Sequence, residues 1–210
     1  MQKNLALKYI LEILKIYKGE KVKIENARYH HNSDYKDAIS IGINGVLSLA
    51  SLVELGFIDM KEEQLNRYSD TTSHINGING VSLSVVGLTD LYKDEFEYDP
   101  FIKSKVDVII DSSVKAHRDS TNYGNEYVTD EDINVNFIRS IDIRLEEYIN
   151  EIINAKDLKK IDVAVKKFNY LIDIAIVLKE KNILLREASY GQNKILDKDK
   201  ISELKKIITL

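Results

Sequence analysis

The sequence predicts an all-α protein, an antiparallel bundle of six or seven helices, and three observations lead to that prediction. The 210 residues include one proline and nine glycines, so few residues interrupt a helix. Apolar residues recur at three- and four-residue spacing through most of the chain, which is typical of helices that bury one face. Short polar segments separate these runs, as in bundles whose neighbouring helices are antiparallel.

The composition limits the class of protein further. Hydrophobic residues make up 44% and charged residues 30% of the chain, which is ordinary for a globular protein. A chain of 210 residues is long enough for a single helical domain, 1–210, with a sizeable core. A subdivision into a bundle at 1–120 and C-terminal helices at 129–210 is the alternative. Because cysteine is absent, disulfides and thiolate metal sites are excluded, and we expect no cofactor.

Helix start and stop signals define the first three predicted helices. The first covers residues 3–18, and Gly19 ends it. Asp34 is a candidate N-cap for a long helix that reaches Leu55 and ends at Gly56. The near-continuous apolar content of that segment predicts the central core helix. A second apolar run at 75–92 predicts its partner.

Four more helices are predicted in the second half of the chain. Asp99 and Pro100 are suited to the N-cap and first position of a helix at 100–117. Residues 129–132 are close to a capping box and precede a helical apolar pattern at 133–154. A further helix is expected at 158–181 and a short one at 198–208. The polar segment 119–127 is the clearest loop.

An internal repeat links the two central helices. The sequence Gly-Ile-Asn-Gly-Val occurs at 42–46 and again at 77–81, and the alignment extends over 42–55 and 77–91. A glycine inside a helix is destabilising by about 1 kcal/mol relative to alanine. Four equivalent glycines therefore indicate that backbones approach closely, and we expect the central glycine-containing helix pair to cross there.

The apolar segment 38–58 also resembles a membrane span, because Glu54 is its only charged residue. Four polar residues nevertheless recur on one side of this predicted helix: Ser40, Asn44, Ser48 and Ser51. No cluster of Lys or Arg flanks the segment, so a buried helix is favoured over a membrane contact. Charged residues at positions 8, 12 and 15 interrupt any signal-peptide pattern, which predicts a cytoplasmic protein.

Three histidines form a candidate metal site. His31, His74 and His117 lie at the ends of three different predicted helices. If these ends met at one end of the bundle, the imidazoles could bind Zn²⁺, Fe²⁺ or Ni²⁺. No pair has the HxxxH or ExxH spacing that places two ligands on one helix face. The alternative is that the three side chains are surface or capping residues.

A second motif carries candidate catalytic residues. Arg67 and His74 are separated by six residues and precede a predicted helix. This spacing resembles the RxxxxxxH element of HEPN ribonucleases, helical bundles that pair two such motifs across a dimer. The resemblance implies that Arg67 would bind phosphate and that His74 would assist attack by a 2′-hydroxyl. Tyr68 replaces the polar residue that usually follows the arginine.

The charge distribution suggests candidate binding residues. Residues 85–155 carry a net charge of −9 and residues 156–210 one of +5, and the two segments could pair within one fold. Alternatively, an exposed basic face that includes Lys159, Lys160, Lys166 and Lys167 meets nucleic acid. A winged-helix nucleic-acid-binding protein with its wing at 188–193 is one form of that alternative.

No motif supplies a complete catalytic set, so the sequence favours a non-enzymatic protein–protein interaction or regulatory protein over an enzyme. A second protein is the expected partner, with nucleic acid as the alternative through the basic C-terminal segment, and an oligomer is compatible with the sequence. The richness in Lys, Ile and Asn suits an AT-rich bacterium, its phage, a mobile element or a defence system. The HEPN-like ribonuclease is the alternative function.

Overall fold

The computed structural model describes residues 26–61, 79–85, 105–118, 126–143 and 158–187, together with Ser202. Within these residues, seven strands form one sheet with the order β4-β5-β2-β1-β3-β6-β7. The strands are β1 (Ala27–Asp34), β2 (Ser82–Val85), β3 (Lys105–Asp111), β4 (His117–Arg118), β5 (Glu126–Val128), β6 (Ile138–Ile143) and β7 (Leu184–Glu187). The protein is therefore a mixed α/β fold, and the prediction of an all-α helical bundle is wrong.

Three α-helices accompany the sheet in the described segments: α1 (Ala38–Asn44), α2 (Leu49–Glu54) and α3 (Leu158–Glu180). Short 3₁₀ turns at Tyr35–Asp37 and Val135–Phe137 lead into α1 and β6. Neighbouring strands pair antiparallel except β6 and β7, which are parallel. Parallel neighbours need a crossover connection, and α3 lies between them in the chain.

Three of the predicted helices contain strands instead. The segment 75–92 contains β2, the segment 100–117 contains β3, and the segment 133–154 contains β6. β3 and β6 are rich in valine and isoleucine, whose branched Cβ is restricted in a helix and packs well on a pleated sheet. In β3, Val106, Val108 and Ile110 are buried on one face and Ile109 is buried on the other, so the strand has a nearly continuous apolar run that a helical period also fits.

The long helix predicted from Asp34 to Leu55 is interrupted. Gly45 has φ of +89° and ends α1, Val46 forms a bridge with Ile133, and the Ser48 side chain accepts a hydrogen bond from the Ser51 amide to start α2. Across the described ranges, no helix is long and apolar enough to span a membrane.

The main core lies between one face of the sheet and α3. Buried sheet residues include Tyr29, Val108, Ile110, Ile141 and Leu185, and α3 contributes Phe168, Leu171, Ile172, Ala175 and Leu178. The helix predicted at 158–181 is confirmed. It ends at Glu180, and Asn182, with φ of +58°, has the left-handed conformation that commonly follows a helix.

The glycines of the repeat do not mark two crossing helices, because the first copy joins α1 to α2 whereas the second leads into β2. A Cβ atom at Gly45 would lie 2.0 Å from the carbonyl oxygen of Ile133, and one at Gly80 would lie 1.9 Å from that of Thr129. The expected close approach of backbones is therefore present, but its partner is the segment 129–133. Gly42 faces α3, where its Cβ would contact Leu178.

Several predicted features lie outside the described residues. These are the helix at 3–18, residues 77–78 and 86–91 of the second repeat copy, the helix start at 99–100, residues 119–125 of the predicted loop, the turn at 188–193 and the helix at 198–208 apart from Ser202, which is helical.

Candidate functional site

Strand pairing creates a polar row across three neighbouring strands. His30 on β1 is the register partner of Ser84 on β2, and Ser84 is the register partner of Glu126 on β5. Directly opposite positions in antiparallel strands belong to the same face of a sheet. We call His30, Ser84 and Glu126 the polar row. Its members are 54 and 42 residues apart in sequence, and only the sheet brings them together.

A carboxylate on the other side of β1 contacts the histidine of this row. The Nδ1 atom of His30 lies 3.2 Å from Oδ1 of Asp107 on β3. The two side chains are 16% and 15% exposed. This contact is therefore shielded from bulk water while it remains accessible from outside, as a site that acts on a ligand requires.

The next strand places a second carboxylate beside Asp107, but that carboxylate is already occupied. Asp142 on β6 is the register partner of Asp107, and Arg186 donates from Nε to its Oδ1 at 2.8 Å and from Nη2 to its Oδ2 at 2.5 Å. The Ser140 hydroxyl also donates to Oδ1 at 2.8 Å. Burial raises the pKa of Asp142, whereas the guanidinium opposes this shift. The Asp142–Arg186 pair thus ties β6 to β7.

His31 lies on the opposite face of β1 from His30. Its Nδ1 donates a hydrogen bond of 2.9 Å to the carbonyl oxygen of Ser82, because a carbonyl can only accept. Burial lowers the pKa of His31 below the ordinary value, although the bond to Ser82 opposes the shift. The imidazole is therefore neutral near pH 7, and it links β1 to β2.

The candidate metal ligands are not brought onto neighbouring strands. His31 lies on β1 and His117 on β4, with β2 and β5 between them. His117 is exposed, and its Nδ1 lies 3.7 Å from Oδ1 of Asp130. His74 and the ribonuclease candidate Arg67 lie outside the described residues. In the parts of the chain that the structure covers, no group of three His, Asp or Glu residues could hold a metal ion.

The candidate basic residues lie on α3. Lys166 is exposed and pairs with Asp162 at 2.8 Å, one helical turn away. The backbone carbonyl of Lys167 accepts a hydrogen bond from the Tyr35 hydroxyl at 3.3 Å. Lys159 and Lys160 belong to the first turn of α3, and their side chains lie outside the described set. Nucleic-acid binding through this helix stays a prediction.

Sequence reasoning missed His30, Ser84, Asp107 and Glu126 as a group. They come from four strands, so no local motif unites them. Two signals were present: Asp107 interrupts a run of valine and isoleucine, and Ser82-Leu83-Ser84-Val85 alternates polar with apolar residues as a half-buried strand does.

Comparisons with known proteins add no family to this geometry. No protein-family model matches the chain, and neither the curated proteins nor the solved structures give a match.

Proposed function

We propose that this protein is an enzyme that cleaves a glycosidic bond and transfers the glycosyl group, and that the polar row is its site. The observation that carries the proposal is the register His30–Ser84–Glu126 across β1, β2 and β5. It joins an imidazole, a hydroxyl and a carboxylate position on one face of the sheet. An imidazole and a hydroxyl can form hydrogen bonds with sugar hydroxyls, and a carboxylate can stabilise the positive charge of an oxocarbenium-like transition state.

Acyl transfer with Ser84 as the nucleophile is less well supported. A serine nucleophile needs a base within hydrogen-bond reach, as in Ser-His-Asp sites. Asp107 and His30 supply the second half of such a triad. Between the described side chains of Ser84 and His30, however, there is no hydrogen bond.

The geometry also differs from that of a two-carboxylate glycosidase. Such enzymes place a general acid and a second carboxylate about 5–9.5 Å apart. Glu126 and Asp107 are separated by three strand spacings, which corresponds to about 14 Å at ~4.8 Å per strand. Asp142, which stands beside Asp107, is bound by Arg186. Neither Asp107 nor Asp142 therefore serves as the second carboxylate that would protonate a leaving group next to Glu126.

Within the described strands, the polar row has one carboxylate position, Glu126, and such a row suits a leaving group that departs without a proton. The pyridinium N-glycoside of an oxidised nicotinamide dinucleotide is such a donor, because breaking its C–N bond releases a neutral base. A new C–O or C–N bond to water or to another acceptor replaces it, and the acceptor's proton passes to solvent or to a base. In this scheme His30 binds a ribose hydroxyl and Glu126 stabilises the developing positive charge. The protein partner expected from the sequence becomes a candidate acceptor.

The test is to incubate the full chain with oxidised nicotinamide dinucleotide labelled in its adenylate phosphate. Nicotinamide release is followed by chromatography, and transfer of label to protein, RNA or DNA by electrophoresis. Adenosine serves as the contrasting substrate, since its neutral N-glycosidic bond needs protonation of the base. We expect release from the dinucleotide and none from adenosine. Glu126→Gln and His30→Ala should each lower kcat/KM by about 100-fold or more.

The matched control is Glu131→Gln, which removes an exposed carboxylate outside the polar row and should retain wild-type turnover. Absence of nicotinamide release from the wild-type chain, or equal turnover by wild type and Glu126→Gln, would contradict the proposal. Cleavage of adenosine at a comparable rate would contradict the inferred leaving group.

A further inference from the structure

We propose that Asp107 is a positioning residue that orients the His30 imidazole with Nδ1–H toward its carboxylate, so that Nε2 of the uncharged ring is presented as a hydrogen-bond acceptor to the polar row. The use of that acceptor in glycosyl transfer rests on the proposed function. The tautomer itself follows from the contacts of β1 and β3 and is tested independently.

The first step concerns the hydrogen bond between the two side chains. His30 Nδ1 and Asp107 Oδ1 are 3.2 Å apart, and an ionised carboxylate can only accept. With Asp107 as a carboxylate, the proton of this hydrogen bond is on Nδ1. In a neutral imidazole the other ring nitrogen is then unprotonated and accepts hydrogen bonds.

The second step concerns the direction in which Nε2 of His30 points. β1 lies between β3, which carries Asp107, and β2, which carries Ser84. Because Nδ1 is turned toward Asp107, Nε2 on the far side of the ring is turned away from it. This is the nitrogen available to a ligand over the polar row, where it can accept a hydrogen bond from a sugar hydroxyl.

The third step concerns why Asp107, and not its neighbour Asp142, has this role. Asp142 has both carboxylate oxygens bound to Arg186 and a further bond from Ser140. Asp107 contacts the histidine ring, and its side chain is only 15% exposed. A hydrogen bond with little competing water constrains a side chain more than an exposed one does. A carboxylate behind a functional imidazole commonly fixes its tautomer and orientation in this way.

The test uses the full chain with ¹⁵N-labelled histidine and long-range ¹H–¹⁵N NMR at pH 8, which distinguishes protonated from unprotonated ring nitrogens. Spectra of His30→Gln assign the signals. In the wild type we expect a protonated Nδ1 and an unprotonated Nε2 for His30. In Asp107→Ala the Nε2–H form should become populated. His31 is an internal reference, since the Ser82 carbonyl holds its Nδ1–H form in both proteins.

Asp34→Ala is the matched control, because Asp34 is an exposed carboxylate on the same strand and face as His30. It should leave the His30 signals unchanged. If Asp107→Ala does not fold, Asp107→Thr keeps a β-branched residue suited to a strand and lacks the carboxylate. A wild-type His30 in the Nε2–H form, or a folded Asp107 variant with unchanged signals, would overturn the proposal.

Activity provides a separate readout. If the chain releases nicotinamide, Asp107→Ala should lower kcat by about 10- to 100-fold with less effect on KM. Asp34→Ala should keep the wild-type kcat, and equal kcat values for the two variants would contradict a positioning role. If the wild type shows the expected tautomer but no turnover with the dinucleotide, the proposed function fails while the assignment of the His30–Asp107 pair stands.

Discussion

Asp111, at the end of β3, has each carboxylate oxygen bound to a different partner. Oδ1 accepts hydrogen bonds from the Ser113 amide at 2.8 Å and from the Ser113 hydroxyl. Oδ2 accepts from Nε of Arg139 on β6 at 2.7 Å. The Ser113 hydroxyl above all, and then the Ser113 amide and Arg139, lower the pKa of Asp111 although burial acts to raise it. The ionised carboxylate thus stabilises the turn after β3 and the β3–β6 contact.

The lowered pKa gives a defined pH dependence of stability. An acid whose pKa is lower in the folded state stabilises the fold fully above the unfolded pKa, about 3.9 for aspartate, and loses this contribution as pH falls through the folded pKa. We expect Asp111→Asn to reduce the free energy of unfolding by about 1–3 kcal/mol at pH 7. Denaturant titrations should show this difference shrinking below about pH 4. Asp162→Asn, on the exposed face of α3, is the control; a difference for Asp111→Asn that grows toward acid pH would contradict the sign.

At the scale of secondary-structure elements, the segment 129–133 has a structural role that its sequence did not indicate. It looks like a capping box, yet no helix follows it directly. Val46 exchanges backbone hydrogen bonds of 2.9 and 2.8 Å with Ile133, and the Val81 amide donates to the Thr129 hydroxyl at 2.9 Å. The Asp132 carboxylate accepts a hydrogen bond from the Ser48 amide at the start of α2 and does not cap a helix of its own. Both Gly-Val pairs of the repeat therefore pack on this one segment.

Three glycines allow steric and conformational effects to be separated. Gly80→Ala places Cβ against the Thr129 carbonyl and should destabilise by about 1–3 kcal/mol. Gly45→Ala causes a similar clash at a position whose positive φ alanine also disfavours, so it should destabilise the fold more. Gly56 has φ of +75° and open space around its Cβ, so Gly56→Ala should cost about 1 kcal/mol from strain alone. Urea unfolding measures the loss of stability in each of the three variants. A smaller loss for Gly80→Ala than for Gly56→Ala would contradict the close approach of Gly80 to Thr129.

At the scale of the whole molecule, β1 and β3 are the central strands of the described sheet, whereas β4 is a two-residue strand at its edge. Edge strands open locally, but a central strand is released only when the sheet unfolds. We expect amide hydrogens of Val108 and Ile110 to exchange with the free energy of global unfolding, and that of Arg118 to exchange far faster. Native-state hydrogen exchange measures both. Equal protection of β3 and β4 would contradict this architecture.

Some features of the fold could be read from the sequence because they depend on nearby residues. The helix α3 follows from a helical apolar pattern over 23 residues, and Gly56, the predicted stop of the segment that began at Asp34, has a positive φ just after α2. The prediction placed Gly45 inside that helix, whereas its positive φ ends α1. The predicted apolar positions Val106, Ile110 and Ile141 are buried. Their burial depended only on hydrophobicity, so it survived the wrong assignment of secondary structure.

The tertiary structure decided the rest. Runs of isoleucine and valine fit both a helical and a strand period, and only pairing with distant strands selects between them. The same pairing assembles the candidate site: His30 and Asp107 are 77 residues apart in sequence and 3.2 Å apart in the fold. Local sequence determined where the chain turns and which residues are buried, whereas long-range strand register, which no local pattern encodes, determined the sheet and the polar row upon it.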